Sequence, residues 1–321
     1  MRTTTTAYLS LLVGSTIGCA QLGHPGGRTH EGPDAGTEQA TCDQVETKTM
    51  DLAFAGSDMS YAGLPTSCWK LQGKLTISGS VSSLAKLGDL REVQDLEING
   101  GALTTIDTTS ALKVTRTINI HDTTKLADLG KLDIAQDQTC LSYLASVSVV
   151  ANSALTDLKN LQNVTCVAGA FTIQDNTKLT TVSMSKVQSI THGTALDAIV
   201  IRHNAALTSI NMNGLQYLHG SMTIDNNAAL TTIGSMTTTF PAIEGALTIT
   251  GNTALTDLGT LDHSPGVLSG ITITGNTALP YCQARHVGCC VSHSGTAQIG
   301  QGNTNCGSWC TDQHNCYSTT N

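Results

Sequence analysis

A chain of 321 residues with 40% hydrophobic content can bury a large core, yet only 3% of its residues are aromatic and 12% charged, so its surface must be mostly hydroxyl and amide. A formal net charge of -8 without clustered Lys or Arg excludes a nucleic-acid partner, because binding to a phosphate backbone needs such clusters to release counterions. The sequence holds no phosphate-binding glycine loop, no G-x-S-x-G elbow and no HExxH, so no cofactor and no familiar catalytic centre is expected.

In chain order, residues 1–18 read as a signal peptide: Arg2 is followed by an apolar run from Ala7 to Ile17 that is too short to span a bilayer. The chain is therefore expected to be exported. Ser15-Thr16-Ile17-Gly18-Cys19 resembles a bacterial lipoprotein signal, in which a small residue precedes the cysteine that takes the lipid, although Thr16 stands where that family usually has Leu. By that resemblance Cys19 is the lipidation site, and Ala20 in place of Asp favours the outer membrane. An ordinary cleavage after Gly18-Cys19-Ala20 fits the same stretch, so an anchored and a secreted protein both remain open. In either case contact with a membrane is expected only through a lipid.

Residues 19–41 are rich in Gly, Pro, His and polar residues and read as a flexible tether. Residues 42–73 read as an N-terminal cap, and residues 74–282 repeat one phrase, most clearly in GALTITGNTAL from Gly245 and GITITGNTAL from Gly270. The central apolar residues of successive phrases are Ile77, Ile98, Ile120, Val149, Ile173, Ile201, Ile224, Ile249 and Ile273, at steps of 21, 22, 29, 24, 28, 23, 25 and 24 residues. Such a period marks a solenoid. Each phrase opens on an alternating run such as Leu247-Thr248-Ile249-Thr250, a short strand with one buried face. Three residues after the anchor the last six copies carry Asn152, Asn176, Asn204, Asn227, Asn252 and Asn276, whose stacked amides would satisfy backbone groups at a repeated corner. Leu residues such as Leu155, Leu207 and Leu255 follow, then a second apolar residue such as Val182 or Ile233, and these are expected to fill the interior. In residues 283–321 the period stops and cysteines crowd together, as in a disulfide-held C-terminal cap.

The phrase G-x-L-T-I-x-x-N-x-x-L-x-x-L resembles the receptor L-domain, a relative of the leucine-rich repeat known from receptor ectodomains and bacterial surface proteins. Two residues separate Asn from the next Leu here, against one in the common leucine-rich repeat. Cys42, Ser67-Cys68-Trp69 and the run from Gly73 to Ile77 are similar to that family's N-terminal cap, and Leu279-Pro280-Tyr281-Cys282 to the exit from its last coil. The predicted fold class is an all-β solenoid: a single-domain right-handed parallel β-helix or L-domain-like stack of about nine short strands with disulfide caps. The fold alone assigns no activity.

Either processing route removes Cys19 from disulfide chemistry and leaves Cys42, Cys68, Cys140, Cys166, Cys282, Cys289, Cys290, Cys306, Cys310 and Cys316, an even number suited to a disulfide framework in an exported chain. Cys140 and Cys166 lie 26 residues apart, close to one period, which places them on neighbouring coils at bridging distance. By the same reasoning Cys42 and Cys68 should close the N-terminal cap. His286, Cys289, Cys290 and His293 are zinc-binding residue types, but export favours disulfides and adjacent cysteines fit one tetrahedral ion poorly, so no metal is assigned.

Outward strand positions should stack into one face containing Thr172 and Gln174, Thr223 and Asp225, Thr248 and Thr250, and Thr272 and Thr274. This column reads either as an extended binding surface for a protein or glycan or as the ordinary preference of Thr for exposed strands. Asp128 and Asp157, with Asp257 in the same column, are expected to stack about 5 Å apart, a spacing that retaining glycosidases use. No Arg, Lys or aromatic platform accompanies them, and a solvated turn explains them as well. The expected function is non-enzymatic recognition or adhesion at a cell surface. A polysaccharide-cleaving enzyme on a parallel β-helix and a passive envelope spacer are the alternatives.

Overall fold

The computed structural model describes residues 45–56, 63–134, 140, 143–191, 197–234, 242–259, 261, 268–291 and 293–300. The chain divides after Thr41 into two units, of which Met1–Thr41 lies outside the described residues and Cys42–Asn321 carries the fold. The predicted anchors fall on Trp69–Ser78, Leu90–Asn99, Leu112–His121, Ser146–Val150, Phe171–Gln174, Asp197–Arg202, Ser221–Asp225, Ala246–Thr250 and Gly270–Thr274. These strands lie side by side in chain order in one sheet, every neighbouring pair parallel. The architecture is a parallel β-solenoid of about nine turns with little helix. Parallel neighbours cannot be joined by a tight hairpin, and each intervening coil supplies the crossover.

The register sets each anchor beside the next, from Ile77 and Ile98 through to Ile249 and Ile273. Two residues earlier it sets a second apolar column: Leu75, Leu96, Ile118, Val147, Phe171, Ile199, Met222, Leu247 and Ile271. Both columns are buried, as are the residues that meet them from the far wall of the coil, Leu126, Leu155, Leu179, Leu207, Leu230, Leu255 and Leu279, with Leu129, Leu158, Val182, Ile210, Ile233 and Leu258. Because strand side chains alternate, a slip of one residue would turn a whole strand's apolar set to water. Burial at about 25 cal/mol per Å² thus sets the register as well as the stability. The middle coils carry further short parallel runs: Thr181–Ser183 pairs with Ser209–Asn211, and Cys166–Val167, Ser189–Thr191, Tyr217–His219 and Ala242–Ile243 form a four-stranded sheet.

The six asparagines form a ladder inside the wall. The Asn152 amide N–H and Nδ2 both donate to Asn176 Oδ1, at 3.1 and 3.0 Å. The same step recurs from Asn176 to Asn204, Asn227, Asn252 and Asn276. Each Nδ2 also donates to the carbonyl of the anchor one coil back, as from Asn204 to Ile173 O at 3.0 Å. Thr123 takes the Asn position in its own coil and starts the ladder by donating from Oγ1 to Asn152 Oδ1 at 2.7 Å. Both hydrogen-bonding ends of a buried amide are thereby satisfied without water.

Two further columns arise in the same coils. The residue two after each anchor has a left-handed backbone: Gly79, Gly100, Asp122, Ala151, Asp175, His203, Asn226, Gly251 and Gly275, with φ between 53° at Asn226 and 72° at Gly275. From Gly100 to Gly251 its N–H donates to a carbonyl of the next coil, as Ala151 does to Gln174 O and Gly251 to Thr274 O. Seven residues after the anchor, Thr156, Thr180, Thr208, Thr231 and Thr256 each donate from Oγ1 to the carbonyl at the same place one coil back. The N-x-x-L-T phrasing of these coils is therefore partly structural.

At the N-terminal end Glu46–Lys48 and Leu52–Phe54 pair in parallel with the first anchor strand, which already begins at Trp69, ahead of Lys74 where the repeat was expected to start. Gly73 permits the close packing there, since a Cβ would sit 2.0 Å from Met50 O. At the other end Ala297–Ile299 pairs with the last anchor strand, and Tyr281–Cys290 is an α-helix that the sequence reading did not anticipate. Cys140 and Cys166 form a disulfide with their Cα atoms 5.5 Å apart. Cys68 is disulfide-bonded as well, while its expected partner Cys42, together with Cys19, Cys306, Cys310 and Cys316, lies outside the described residues. Cys282 carries a free thiol, where the sequence reading had it among the bridged cysteines. It sits in the first turn of the helix that ends at Cys290. A rise of about 1.5 Å per residue along the helix sets Cys282 roughly 10 to 12 Å from Cys289 and Cys290, beyond disulfide reach.

Candidate binding face

The outward positions of the main sheet stack into two rows. One runs Thr76, Glu97, Asn119, Ser148, Thr172, Val200, Thr223, Thr248 and Thr272; the other runs Ser78, Asn99, His121, Val150, Gln174, Arg202, Asp225, Thr250 and Thr274. All eight side chains singled out from the sequence fall in these rows, each half-buried. Parallel pairing from coil to coil makes the face continuous.

Its chemistry changes along the stack. At the N-terminal end Lys74 pairs closely with Glu97 and Arg116 with Asp95, and His121 Nε2 lies 3.4 Å from Glu97 Oε1. Hydrogen bonding from Arg116 holds the Asp95 carboxyl below the usual range, against the opposing effect of its burial. The Lys74 ammonium, with His121 contributing, does the same for Glu97. In the middle, Arg202 Nε donates to Gln174 Oε1 at 2.7 Å and Gln174 Nε2 to Asp175 Oδ2 at 2.6 Å. His203 Nδ1 lies 3.2 Å from Asp175 Oδ1, and Thr250 Oγ1 donates to Asp225 Oδ1 at 2.5 Å. Towards the C-terminal end the charges give out. Thr172, Thr248, Thr272 and Thr274 make no side-chain hydrogen bond among the described residues, in contrast to the corner threonines, whose hydroxyls are all engaged.

The aspartates considered for catalysis are occupied by turns. Asp128 Oδ1 accepts from the Gly130 N–H at 2.8 Å, Asp157 Oδ1 from Lys159 N–H at 3.2 Å and Asp257 Oδ1 from Gly259 N–H at 2.9 Å. Each caps the backbone two residues on, the Asx-turn pattern that makes Asp common in loops. Among the described residues no group of three or more His, Cys, Asp or Glu side chains is placed to hold a metal, and no helix is long and apolar enough to cross a membrane.

A second cluster, absent from the sequence reading, lies on the four-stranded sheet. Tyr217 and His219 share one face of their strand, their rings nearly parallel at 8° with centroids 6.2 Å apart. The Tyr217 hydroxyl donates to Glu244 Oε1 at 2.8 Å, and His219 Nδ1 pairs closely with Glu244 Oε2. These bonds, Tyr217's first and His219's second, hold the Glu244 carboxyl below its usual range, and the hydrogen bond to Glu244 raises the Tyr217 phenol. No family model, curated protein or solved structure matches the chain. The geometry therefore carries the functional reading. The signal for this cluster was present as Tyr217-Leu218-His219 alternation with Glu244 one period after His219, but coil steps that vary from 21 to 29 residues hide which side chains become neighbours.

Proposed function

We propose that the protein is a non-enzymatic recognition or adhesion module of a cell surface, exported and tethered through Cys19, which binds a protein or glycan partner across the outward face of its main sheet. The observation that carries this reading is the contrast between two sets of threonines. Those at the corner spend their hydroxyls on backbone carbonyls, whereas Thr172, Thr248, Thr272 and Thr274 present theirs outward in register. β-Propensity alone accounts for Thr on a strand; a cluster of unengaged hydroxyls at Thr248, Thr272 and Thr274, with Thr172 further along the face beside a braced Arg202–Gln174 pair, is also what a polar ligand needs. The resemblance of the coil phrase to receptor L-domains favours the same reading.

The test is capture from envelope extracts by the folded chain, compared with a Thr248→Val, Thr272→Val, Thr274→Val triple variant. The variant keeps the strand shape and removes the hydroxyls, and specific capture should fall about tenfold or more if each lost hydrogen bond weakens binding by about 0.5–1.5 kcal/mol. Equal capture by both proteins would remove the main-sheet face as the site. Lipid attachment is tested separately: Cys19→Ser should release the protein from detergent-phase partitioning.

A further inference from the structure

We propose that Tyr217, His219 and Glu244, with Ser189 and Thr191 beside them, form a pyranose-binding subsite for a glycan. The site lies on the four-stranded sheet rather than on the main-sheet face, so it goes beyond the reading above. In this chain aromatic side chains are scarce, and Trp69, Phe171 and Phe54 are buried. Tyr217 and His219 are the stacked ring pair among the described residues, and both are partly exposed. A sugar ring offers an apolar face of C–H groups and a rim of hydroxyls. A Tyr ring meets the first at low conformational-entropy cost, because it is rigid and already ordered. A carboxylate meets the second.

Glu244 accepts one bond on each oxygen from the rings. A carboxylate has about four acceptor sites, so each oxygen keeps capacity for one hydroxyl of a neighbouring pair. Ionised at neutral pH, it would accept those hydroxyls in charge-assisted bonds, which are stronger than neutral ones. With Nδ1 turned to Glu244, His219 Nε2 has no hydrogen-bond partner among the described residues and is left to bond a group further along the ligand. On the other side the register places Ser189 beside Tyr217 and Thr191 beside His219, extending the platform with two hydroxyls. A peptide is the weaker occupant. Tyr217–His219 is paired on both edges, with Ser189–Thr191 and Ala242–Ile243, so it offers no open backbone for strand addition.

The experiment is a glycan array probed with the full chain, followed by calorimetric titration of the strongest soluble glycan into wild type, Tyr217→Ala, Tyr217→Phe and Glu244→Gln, each with its melting temperature. Loss of about tenfold or more in affinity for Tyr217→Ala and Glu244→Gln supports the subsite. So does a smaller loss, about threefold, for Tyr217→Phe, which keeps the ring and removes only its hydroxyl. The two near-isosteric variants guard against a folding failure, since unchanged melting with lost binding is not what a merely structural tie would produce. Affinity unmoved in all three variants would overturn the subsite and leave the main-sheet reading intact. Absence of any bound glycan on the array would overturn it as well, while protein capture would still test the main-sheet face on its own terms.

Discussion

The coils anchored by Ile77, Ile98 and Ile120 and those anchored by Val149 through Ile273 share one register and one interior, yet they are tied to their neighbours by different chemistry. The early coils use long strands, each of 10 residues, and ion pairs across the outward face, Lys70 with Glu92, Lys74 with Glu97 and Arg116 with Asp95. Where later coils place Asn, they have Ser80, Gly101 and Thr123. The later coils use strands of 4 to 6 residues and make up the difference with buried amides and corner hydroxyls. A solenoid interior is thus compatible with two kinds of cohesion. One is titratable and screened by salt, the other is neutral and buried.

The largest expected effect breaks the neutral kind. Asn204→Ala removes the acceptor of the Asn176 N–H and the donor to Ile173 O, both buried. Leaving such groups unpaired should cost about 4 kcal/mol in denaturant unfolding. Ser80→Ala, at the corresponding corner of the first coil, should stay within about 0.5 kcal/mol. Equal costs would erase the distinction. Next comes the junction between the two regions: replacing Cys140 and Cys166 together by Ser opens a 26-residue loop, for an expected loss of about 3 kcal/mol. Hydrogen exchange should place that loss at Ser146–Val150, beside the longest coil step.

Acid should separate the regions by a smaller margin. Asp95 and Glu97 have folded values below their unfolded ones, so their stabilisation is complete above the ordinary carboxylate range and is lost as pH falls through the lowered folded values. Amide protection in Leu90–Asn99 and Leu112–His121 should fade before that in Ala246–Thr250, and 1 M salt should weaken the early coils more than the last two. Uniform loss along the chain would contradict two modes of cohesion. The smallest effect is a gain. Ala151 holds φ at 57° in a column otherwise supplied by Gly, Asp, Asn and His, so Ala151→Gly should stabilise by about 1 kcal/mol in thermal unfolding.

Much of this was legible in the sequence. Alternation about each anchor determines which side chains are buried, because in a short strand burial follows from position alone. The Asn spacing determines the ladder, since a buried amide has few ways to be satisfied other than by its own copies one coil away. The outward rows follow from the same alternation. The left-handed column was visible too, as Gly79, Gly100, Gly251 and Gly275 with Asp122, Asp175 and Asn226, but a period in backbone conformation leaves a weaker trace than one in hydrophobicity.

Tertiary structure alone decided which polar groups meet across coils. Lys74 finds Glu97, and Tyr217 and His219 find Glu244, only once the irregular steps between anchors have been folded into turns of definite length. The sequence by itself determined the period, the buried face and the stacked corner, because each is a property of one coil repeated. Partnerships between coils depend on how many residues each turn absorbs before the next strand, and that number is set by packing against the interior rather than by any local preference of the chain.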